Sequence, residues 1–379
     1  MNILQVAPRF STAHGGGGVV AAYNLAKGLI SKGHKVGIAT SDYQYDADYA
    51  ESLSALMLTY KSILNVASLH ITPLFLRDIT CDCWANIDII HMQSCRTFQN
   101  IIAHHYARKY KIPYIIEAHG LPKTGARLRR LLQWLFDVCF SRTLIRDASV
   151  LIAETRVGME EYGEIGADQQ KIIIVPCPYD LSIFDKLPDR GQFKRIKNEC
   201  GLCRVVLYLG GLEYIKGIDL LIKAFAKLDT NDVKLVIVGA ETSYKKSLDK
   251  LVDSLGISEM VIFTGGLYGQ AKLEALVDAD VAVFPSRAEQ GLPFAALEAI
   301  MCDTPVLVTS GTGAAEDIVK MGGGVVKPDI NAIAAGIKRL LYSELGEGMV
   351  QKGQQYIKDN LSLDNSIGVY EDIYKGCFR

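Results

Sequence analysis

Short apolar runs alternate along the chain with longer stretches in which apolar residues recur every three or four positions. The runs predict strands and the stretches predict amphipathic helices. Asn2 to Ala7 opens as a strand. A loop follows, and then a helix over Val19 to Ser31, with Val20, Leu25, Leu29 and Ile30 at helical spacing and Gly33 where a C-cap belongs. Lys35 to Thr40 is the second strand, so the chain begins as a parallel sheet begins. Asp88–His91, Tyr114–Glu117, Val150–Ala153 and Ile172–Val175 predict further strands, while residues 43 to 87 carry no clean period. The break at Pro176-Cys177-Pro178 and the polar stretch from Asp180 to Gln192 read as a linker. The alternation then restarts at Arg204–Leu209. It continues as helix 217–228, strand 234–238, helix 243–255, strand 260–263, helix 270–277, strand Val281–Phe284, a helix from near Pro293, strand 305–308 and helices to the end. The expectation is an α/β protein of two doubly wound halves with a cleft between them.

The stretch Val281 to Ile300 carries the most chemistry. A buried strand meets a Pro-Ser break, a glycine-containing loop and a helix with Pro293 near its first turn, a position where the missing N–H costs nothing. Backbone N–H groups at that helix start favour an anion. Glu289 and Glu298 bracket the turn. Carboxylates would repel a phosphate, so their place there suits the hydroxyls of a sugar or ribose, and together the features suggest a nucleotide-sugar site. The competing reading is an ordinary strand–helix unit with incidental glutamates. Gly15 to Gly18 form an unspaced run that Pro8–His14 separate from the first strand. A dinucleotide fingerprint instead follows its strand at once with spaced glycines, which argues against a nicotinamide-dependent dehydrogenase. The run reads as a loop contacting phosphate or sugar, or otherwise as a flexible connector. His119, followed by Gly120, lies past the carboxyl end of a predicted strand, where ligands of open parallel sheets bind.

At 379 residues the chain is long enough for two domains. A net charge of −1 with 22 % charged residues does not mark a nucleic-acid binder. No apolar run approaches the ~18 residues of a membrane span, and Met1 leads straight into a strand, so a cytoplasmic location is expected. Nine cysteines form no disulfide framework. Cys81/Cys83 and Cys200/Cys203 each lack a second nearby pair, Asp46-Ala47-Asp48 reads as a solvated turn, and His104-His105 read as helix-surface histidines. No metal and no cofactor are expected. Residues 126 to 146 form an amphipathic stretch, with Arg127, Arg129 and Arg130 beside Leu131, Leu132, Trp134, Leu135 and Phe136. Such a helix either lies on an anionic membrane surface or packs its apolar face inward.

Several ordered blocks over nearly the whole length resemble the retaining, nucleotide-sugar-dependent glycosyltransferases of family 4, which have the GT-B fold. The blocks are GGGGVVAAYNLAKGLISKGHKVGIAT, IDIIHMQ, PYIIEAHG, VPCPYDLSIF, YLGGLEYIKGIDLLIKAFAKL and the stretch from Val281. The chain departs from the family pattern at Gln93 (for a second histidine), at Cys177 and Pro178 (for Asn-Gly), and at Gly211 (for the arginine of an Arg-x4-Lys pair that ends at Lys216). It also departs in the E-x7-E motif ending at Glu298, whose first position falls on Gln290 unless a one-residue shift brings Glu289 there.

The resemblance implies two Rossmann-like domains facing across a cleft. The first would span 1–184, on the acceptor side, with a C-terminal helix of about 362–379 packing back on it; the second, 185–361, would bind the nucleotide sugar. His119, Lys216 and Glu289 or Gln290 would stand at the reacting centre. Gly16, Gly17, Gly18, Gly210, Gly211, Lys216, Gly265, Gly291, Leu292, Pro293, Phe294 and Glu298 would bind the donor, a UDP- or GDP-sugar. The implied reaction is metal-independent transfer with retention, by front-side attack assisted by the leaving phosphate, to a glycan or lipid-linked acceptor. A sugar-nucleotide epimerase and a non-catalytic nucleotide-sugar-binding subunit are the rival readings.

Overall fold

The computed structural model describes residues 1–11, 16–66, 69–76, 86–121, 127–193, 203–228, 230, 232–288, 291, 293–342 and 345–378, the side chains of 128, 129 and 345–347 excepted. The chain divides into two compact units, Met1–Asp180 with Asn360–Arg379, and Leu181–Asp359.

The first unit is built on a parallel sheet of seven strands in the order β3-β2-β1-β6-β7-β8-β9. These strands are β1 (Asn2–Val6), β2 (Lys35–Ser41), β3 (Leu56–Tyr60), β6 (Ile89–Gln93), β7 (Tyr114–Glu117), β8 (Val150–Ala153) and β9 (Ile172–Ile174); β4 (Leu64–Val66) and β5 (Leu69–Ile71) form a separate antiparallel hairpin. Successive side chains of a strand point to opposite faces, and both faces are covered. Leu4, Ile90, Ile116 and Leu151 enter one apolar cluster with Ile102, Tyr106, Leu144 and Tyr162. Their neighbours Ile3, Ile89, Ile115 and Ile152 enter another with Leu25, Leu29, Ile367 and Tyr370. Two-sided burial explains why these strands read as continuous apolar runs. The C-terminal helix Leu363–Gly376 belongs to this second layer, packed against the helix Gly16–Ser31. Gly28 permits the approach, since a Cβ there would fall 2.4 Å from Ile367 Cδ1.

The second unit has a six-stranded parallel sheet in the order β12-β11-β10-β13-β14-β15. Its strands are β10 (Arg204–Leu209), β11 (Val233–Val238), β12 (Val261–Gly265), β13 (Val281–Phe284), β14 (Val306–Thr309) and β15 (Gly324–Val326). Val206, Leu235, Val281 and Leu307 bury against Leu221, Ile222, Phe225, Ile333 and Ile337 of the helices Ile218–Ala226 and Ile330–Tyr342.

Three expectations change. The first helix begins at Gly16 rather than Val19, so Gly16, Gly17 and Gly18 are its opening turn and not a loop. Residues 43 to 87, which show no period, hold elements too short to display one: the helix Ala47–Glu51, β3, the hairpin and the 3-10 turn Pro73–Leu76. There Asp46 caps the helix by accepting from the Tyr49 amide. The stretch 126–146 is a helix over Arg127–Phe136, a π turn over Asp137–Ser141 and a helix over Arg142–Asp147. The first of these leaves Leu131, Leu132, Trp134 and Leu135 between 42 % and 56 % exposed, not packed inward. Among the described residues no helix is long and apolar enough to cross a membrane.

Candidate active site

In the first unit, strand order sets β6, β7, β8 and β9 side by side, and their carboxyl ends deliver polar side chains to one place. Gln93 ends β6, Glu117 ends β7 with His119 just past it, Glu154 follows β8, and Cys177 lies beyond β9. His119 adopts φ +51°, a left-handed conformation uncommon outside glycine and often found at functional sites. Its Nδ1 pairs with Oε1 of Glu154 and its Nε2 with Oε1 of Gln93. With an oxygen acceptor at each nitrogen the ring donates twice, as an imidazolium does. Burial lowers the affinity of this ring for its second proton, but the bond and charge of Glu154 and the charge of Glu117 outweigh burial and hold its pKa above the ordinary value. The helix Gly16–Ser31 starts against this ring: a Cβ on Gly18 would lie 3.2 Å from His119 Cδ2.

Beneath His119 lies a buried polar group that a parallel-sheet core rarely contains. Glu117, 1 % exposed, accepts from the Tyr370 hydroxyl at 3.0 Å and has His91 Nε2 at 3.1 Å, while His91 Nδ1 bonds the Tyr374 hydroxyl at 2.7 Å. Burial pushes the Glu117 carboxyl up, yet the His91 bond, the charges of His119 and His91, and the Tyr370 hydroxyl bring it below the usual carboxylate value. The Cys177 thiol donates to Glu154 at 2.9 Å and to Glu117 at 3.4 Å. Burial, then the two carboxylates, push that thiol well up. Gln93 Nε2 is buried and meets no hydrogen-bond partner among the described residues.

In the second unit the carboxyl ends of β10, β11 and β12 meet in glycines. Gly239 donates to the Gly265 carbonyl at 3.0 Å, and a Cβ on Gly239 would fall 2.2 Å from the Gly210 carbonyl oxygen. Gly211 is exposed beside them. Lys216 closes the 3-10 turn Tyr214–Lys216, and Arg287 holds that turn. The Arg287 amide donates to the Ile215 carbonyl at 2.9 Å and its guanidinium to the Tyr214 carbonyl at 2.6 Å. The guanidinium also lies 4.1 Å from the Tyr214 ring centroid and forms a two-pronged pair with Asp219 at 2.7 and 2.8 Å. Burial raises the Asp219 carboxyl, but the Arg287 bonds and charge outweigh it and hold the group below its ordinary value. Past β13, Gly291 and Pro293 lead into the helix Phe294–Met301, which buries Glu298. Oε1 of Glu298 accepts from Lys272 Nζ at 2.8 Å.

The expected site residues therefore fall into two groups. His119 with Gly16, Gly17 and Gly18 lies in the first unit, and Gly210, Gly211, Lys216, Gly265, Gly291, Pro293, Phe294 and Glu298 lie at the carboxyl edge of the second sheet. Glu289, Gln290 and Leu292 are outside the described residues. Glu154, Cys177, Lys272, Arg287 and Gly239 were not singled out for the site by sequence. The first two stand at carboxyl ends of neighbouring strands, so the rule that pointed to His119 could have found them once the strand order was known.

A family model described as glycosyltransferase family 4 matches residues 15–183, and one described as glycosyl transferases group 1 matches residues 190–359. Between them they take in nearly the whole chain. An uncharacterized glycosyltransferase of Methanocaldococcus jannaschii is 24 % identical over 99 % of this chain and 98 % of its own. The GDP-mannose-dependent alpha-(1-6)-phosphatidylinositol monomannoside mannosyltransferase of Mycolicibacterium smegmatis is 29 % identical over 53 % of this chain and 56 % of its own. Among solved structures, Anabaena HepE in complex with UDP and glucose superposes with a TM-score of 0.81 at 15 % identity, covering 99 % of this chain and all of its own. The sucrose-phosphate synthase of Thermosynechococcus elongatus gives 0.81 at 17 % identity over 100 % of this chain and 99 % of its own. The two parallel sheets are those of the GT-B fold, and the chain belongs to the family 4, group 1 glycosyltransferases.

Proposed function

We propose that the protein transfers a sugar, with retention, from a UDP- or GDP-sugar to a glycan or lipid-linked acceptor without a metal in the reaction. The observation that carries this reading is the carboxyl edge of the second sheet. There the glycine ends of β10, β11 and β12, the Lys216 turn and the helix that buries Glu298 stand at adjacent strand ends. Departure of a nucleoside diphosphate builds negative charge on the leaving group, and fixed donors aimed at that charge contribute most to catalysis. Lys216 and the N–H groups at the start of the helix Phe294–Met301 are such donors, and the resemblance assigns the same role to those of Gly16 to Gly18. Gly211, in place of an arginine, leaves the diphosphate to them. Glu298, held by Lys272, takes the ribose hydroxyls, and Glu289 or Gln290 contacts the transferred sugar. The resemblance assigns His119, which carries a proton on each nitrogen, a role at the transferred sugar and the departing phosphate. Attack then comes from the face the phosphate leaves, with the phosphate itself taking the acceptor's proton.

Both donor bases have support among the relatives. HepE is solved with UDP and with UDP-glucose, and the Mycolicibacterium smegmatis relative is GDP-mannose-dependent. The exposed Leu131, Leu132, Trp134 and Leu135, with Arg127 and Arg130 exposed on the same helix, favour a lipid-linked acceptor reached at the cytoplasmic face of an anionic membrane, as in polysaccharide assembly.

The test is release of nucleoside diphosphate from a panel of UDP- and GDP-sugars, with the anomeric configuration of the product read by NMR. Release from one donor with retained configuration, lost in Lys216→Ala, is the expected result. An inverted product would overturn the retaining mechanism. An epimerised donor formed with no acceptor would assign the chain to the epimerases, and donor binding without release would make it a binding subunit.

A further inference from the structure

We propose that Lys272 sets how strongly the protein discriminates a ribonucleotide from its deoxygenated analogues, as a positioning residue that acts through the carboxylate of Glu298. This holds only if Glu298 meets the ribose hydroxyls, as proposed above, and it adds the residue on which that contact depends.

The two side chains come from different strand–helix units. The helix Gly269–Val277 starts shortly past β12, where Gly269 turns with φ +52°, so Lys272 lies in its first turn at the carboxyl edge of the second sheet. The helix Phe294–Met301 starts past β13 and carries Glu298 in its second turn. β11 and β10 lie between β12 and β13 in the sheet, yet the two helices pack together. Leu273, Ala275 and Leu276 of the first are buried, as are Leu297, Ala299 and Ile300 of the second, which fixes both in place. Across that contact Lys272 Nζ donates to Glu298 Oε1 at 2.8 Å.

An exposed ion pair of this length would mean little, because water screens it and two long side chains lose freedom. Here the side chain of Glu298 is 7 % exposed and that of Lys272 is 22 % exposed. A carboxylate so enclosed has to be met by a cation or by hydrogen-bond donors. For stability alone, a buried ion pair gains little over well-packed apolar side chains. A pair kept beyond strand carboxyl ends, where ligands of such sheets bind, fits recognition better than packing. The nearby Cys302 thiol adds no second anion. Burial, then the Glu298 charge, push it up to about 12 against the opposing charge of Lys272.

A carboxylate accepts in about four directions on its two oxygens. Lys272 takes one of them on Oε1 and thereby fixes the plane of the group. A ribose presents two neighbouring O–H donors, and bonds from them to a carboxylate are strong when its oxygens are already aimed. With Lys272 removed, the carboxylate is buried without that partner and turns away from the position the diol needs. The hydroxyls then lose their acceptor, while the base and the phosphates keep their own contacts. The loss is therefore selective for the ribose.

The experiment is calorimetric titration of the full chain with UDP and GDP, each against its dideoxyribose analogue, which lacks both hydroxyls. The parent, Lys272→Met and Lys272→Gln are compared. The parent should bind one ribonucleotide about tenfold or more tighter than its analogue, as expected for hydrogen bonds to a charged group. Lys272→Met should lose most of that ratio by weakening the ribonucleotide, with binding of the analogue near parental. Lys272→Gln keeps a donor for Glu298 but no charge. It should lose part of the ratio, and it guards against a methionine variant that fails to fold. A lysine that only held the helices together would weaken both ligands alike, so a parental ratio in either variant would overturn the role of Lys272. A parent that binds neither ribonucleotide, or binds ribonucleotide and analogue equally, would instead overturn the ribose contact of Glu298 itself.

Discussion

At Gly217 the backbone turns with φ +72°, and a Cβ there would fall 2.0 Å from the carbonyl oxygen of Pro285. No rotamer can relieve a clash between backbone atoms. Gly217→Ala should therefore cost about 2 kcal/mol or more in chemical denaturation, and it should weaken donor binding because Lys216 is the preceding residue. A variant of parental stability would mean the turn is softer than described. Arg287, which ties the same turn, offers a second check. A lysine cannot reproduce the two-pronged bond to Asp219 or the flat stacking on Tyr214. Arg287→Lys should cost roughly 1–2 kcal/mol at neutral pH. Because Asp219 is held below its ordinary value, its contribution is present above the unfolded carboxylate range and lost as pH falls through the folded value. The two proteins should converge in acid. Lys216 and Glu298 stand out in the sequence as candidates because each sits in a local motif. The meeting of Glu154, Cys177 and Gln93 around His119 does not, because it depends on the order of strands far apart in the chain.

Among the elements, the β4–β5 hairpin carries a histidine that sets an acid limit. His70 is buried, stacks on Tyr43 at 4.7 Å and bonds Asn65 Oδ1 through Nδ1 at 2.8 Å. Its Nε2 meets no partner among the described residues. A proton there would be buried with no acceptor, and burial, with the Arg9 charge, pushes its pKa down to about 4. The unfolded chain binds that proton at about 6.5. Between those values the unfolded state holds more protons, so stability rises with pH; the contribution is full above 6.5 and is lost as pH falls toward 4. The slope from this group is at most about 1.4 kcal/mol per pH unit. Urea denaturation at several pH values should show that slope in the parent and a flatter profile in His70→Gln; equal profiles would remove the histidine from the account. The hairpin was invisible to periodicity because its strands are three residues each. The long core elements were legible because their apolar runs are buried on both sheet faces. The first helix begins three residues earlier than periodicity indicated, since glycines carry no hydropathy signal even in its opening turn.

For the whole molecule, the sequence showed the two α/β halves through the restart of alternation near Arg204. It could not show that Tyr370 and Tyr374, from the last helix, reach Glu117 and His91 in the middle of the first sheet. The proposed function assigns the exposed Leu131, Leu132, Trp134 and Leu135 a membrane contact, which is tested on this scale. Vesicles containing anionic lipid should sediment the protein, less so in high salt. Arg127→Ala/Arg129→Ala/Arg130→Ala should abolish sedimentation, and equal sedimentation of the parent and this variant would exclude the basic helix as the contact.

The most direct test of the donor-site assignment is thermal melting against UDP, GDP, ADP and their sugars, first without metal and then with Mg²⁺. A ligand that binds only the native state stabilises it by about 2.7 kcal/mol at a hundredfold excess over its dissociation constant. The account predicts a metal-independent rise with one base, lost in Lys216→Ala and in Glu298→Ala. No rise with any nucleotide, or a rise untouched by both substitutions, would contradict it.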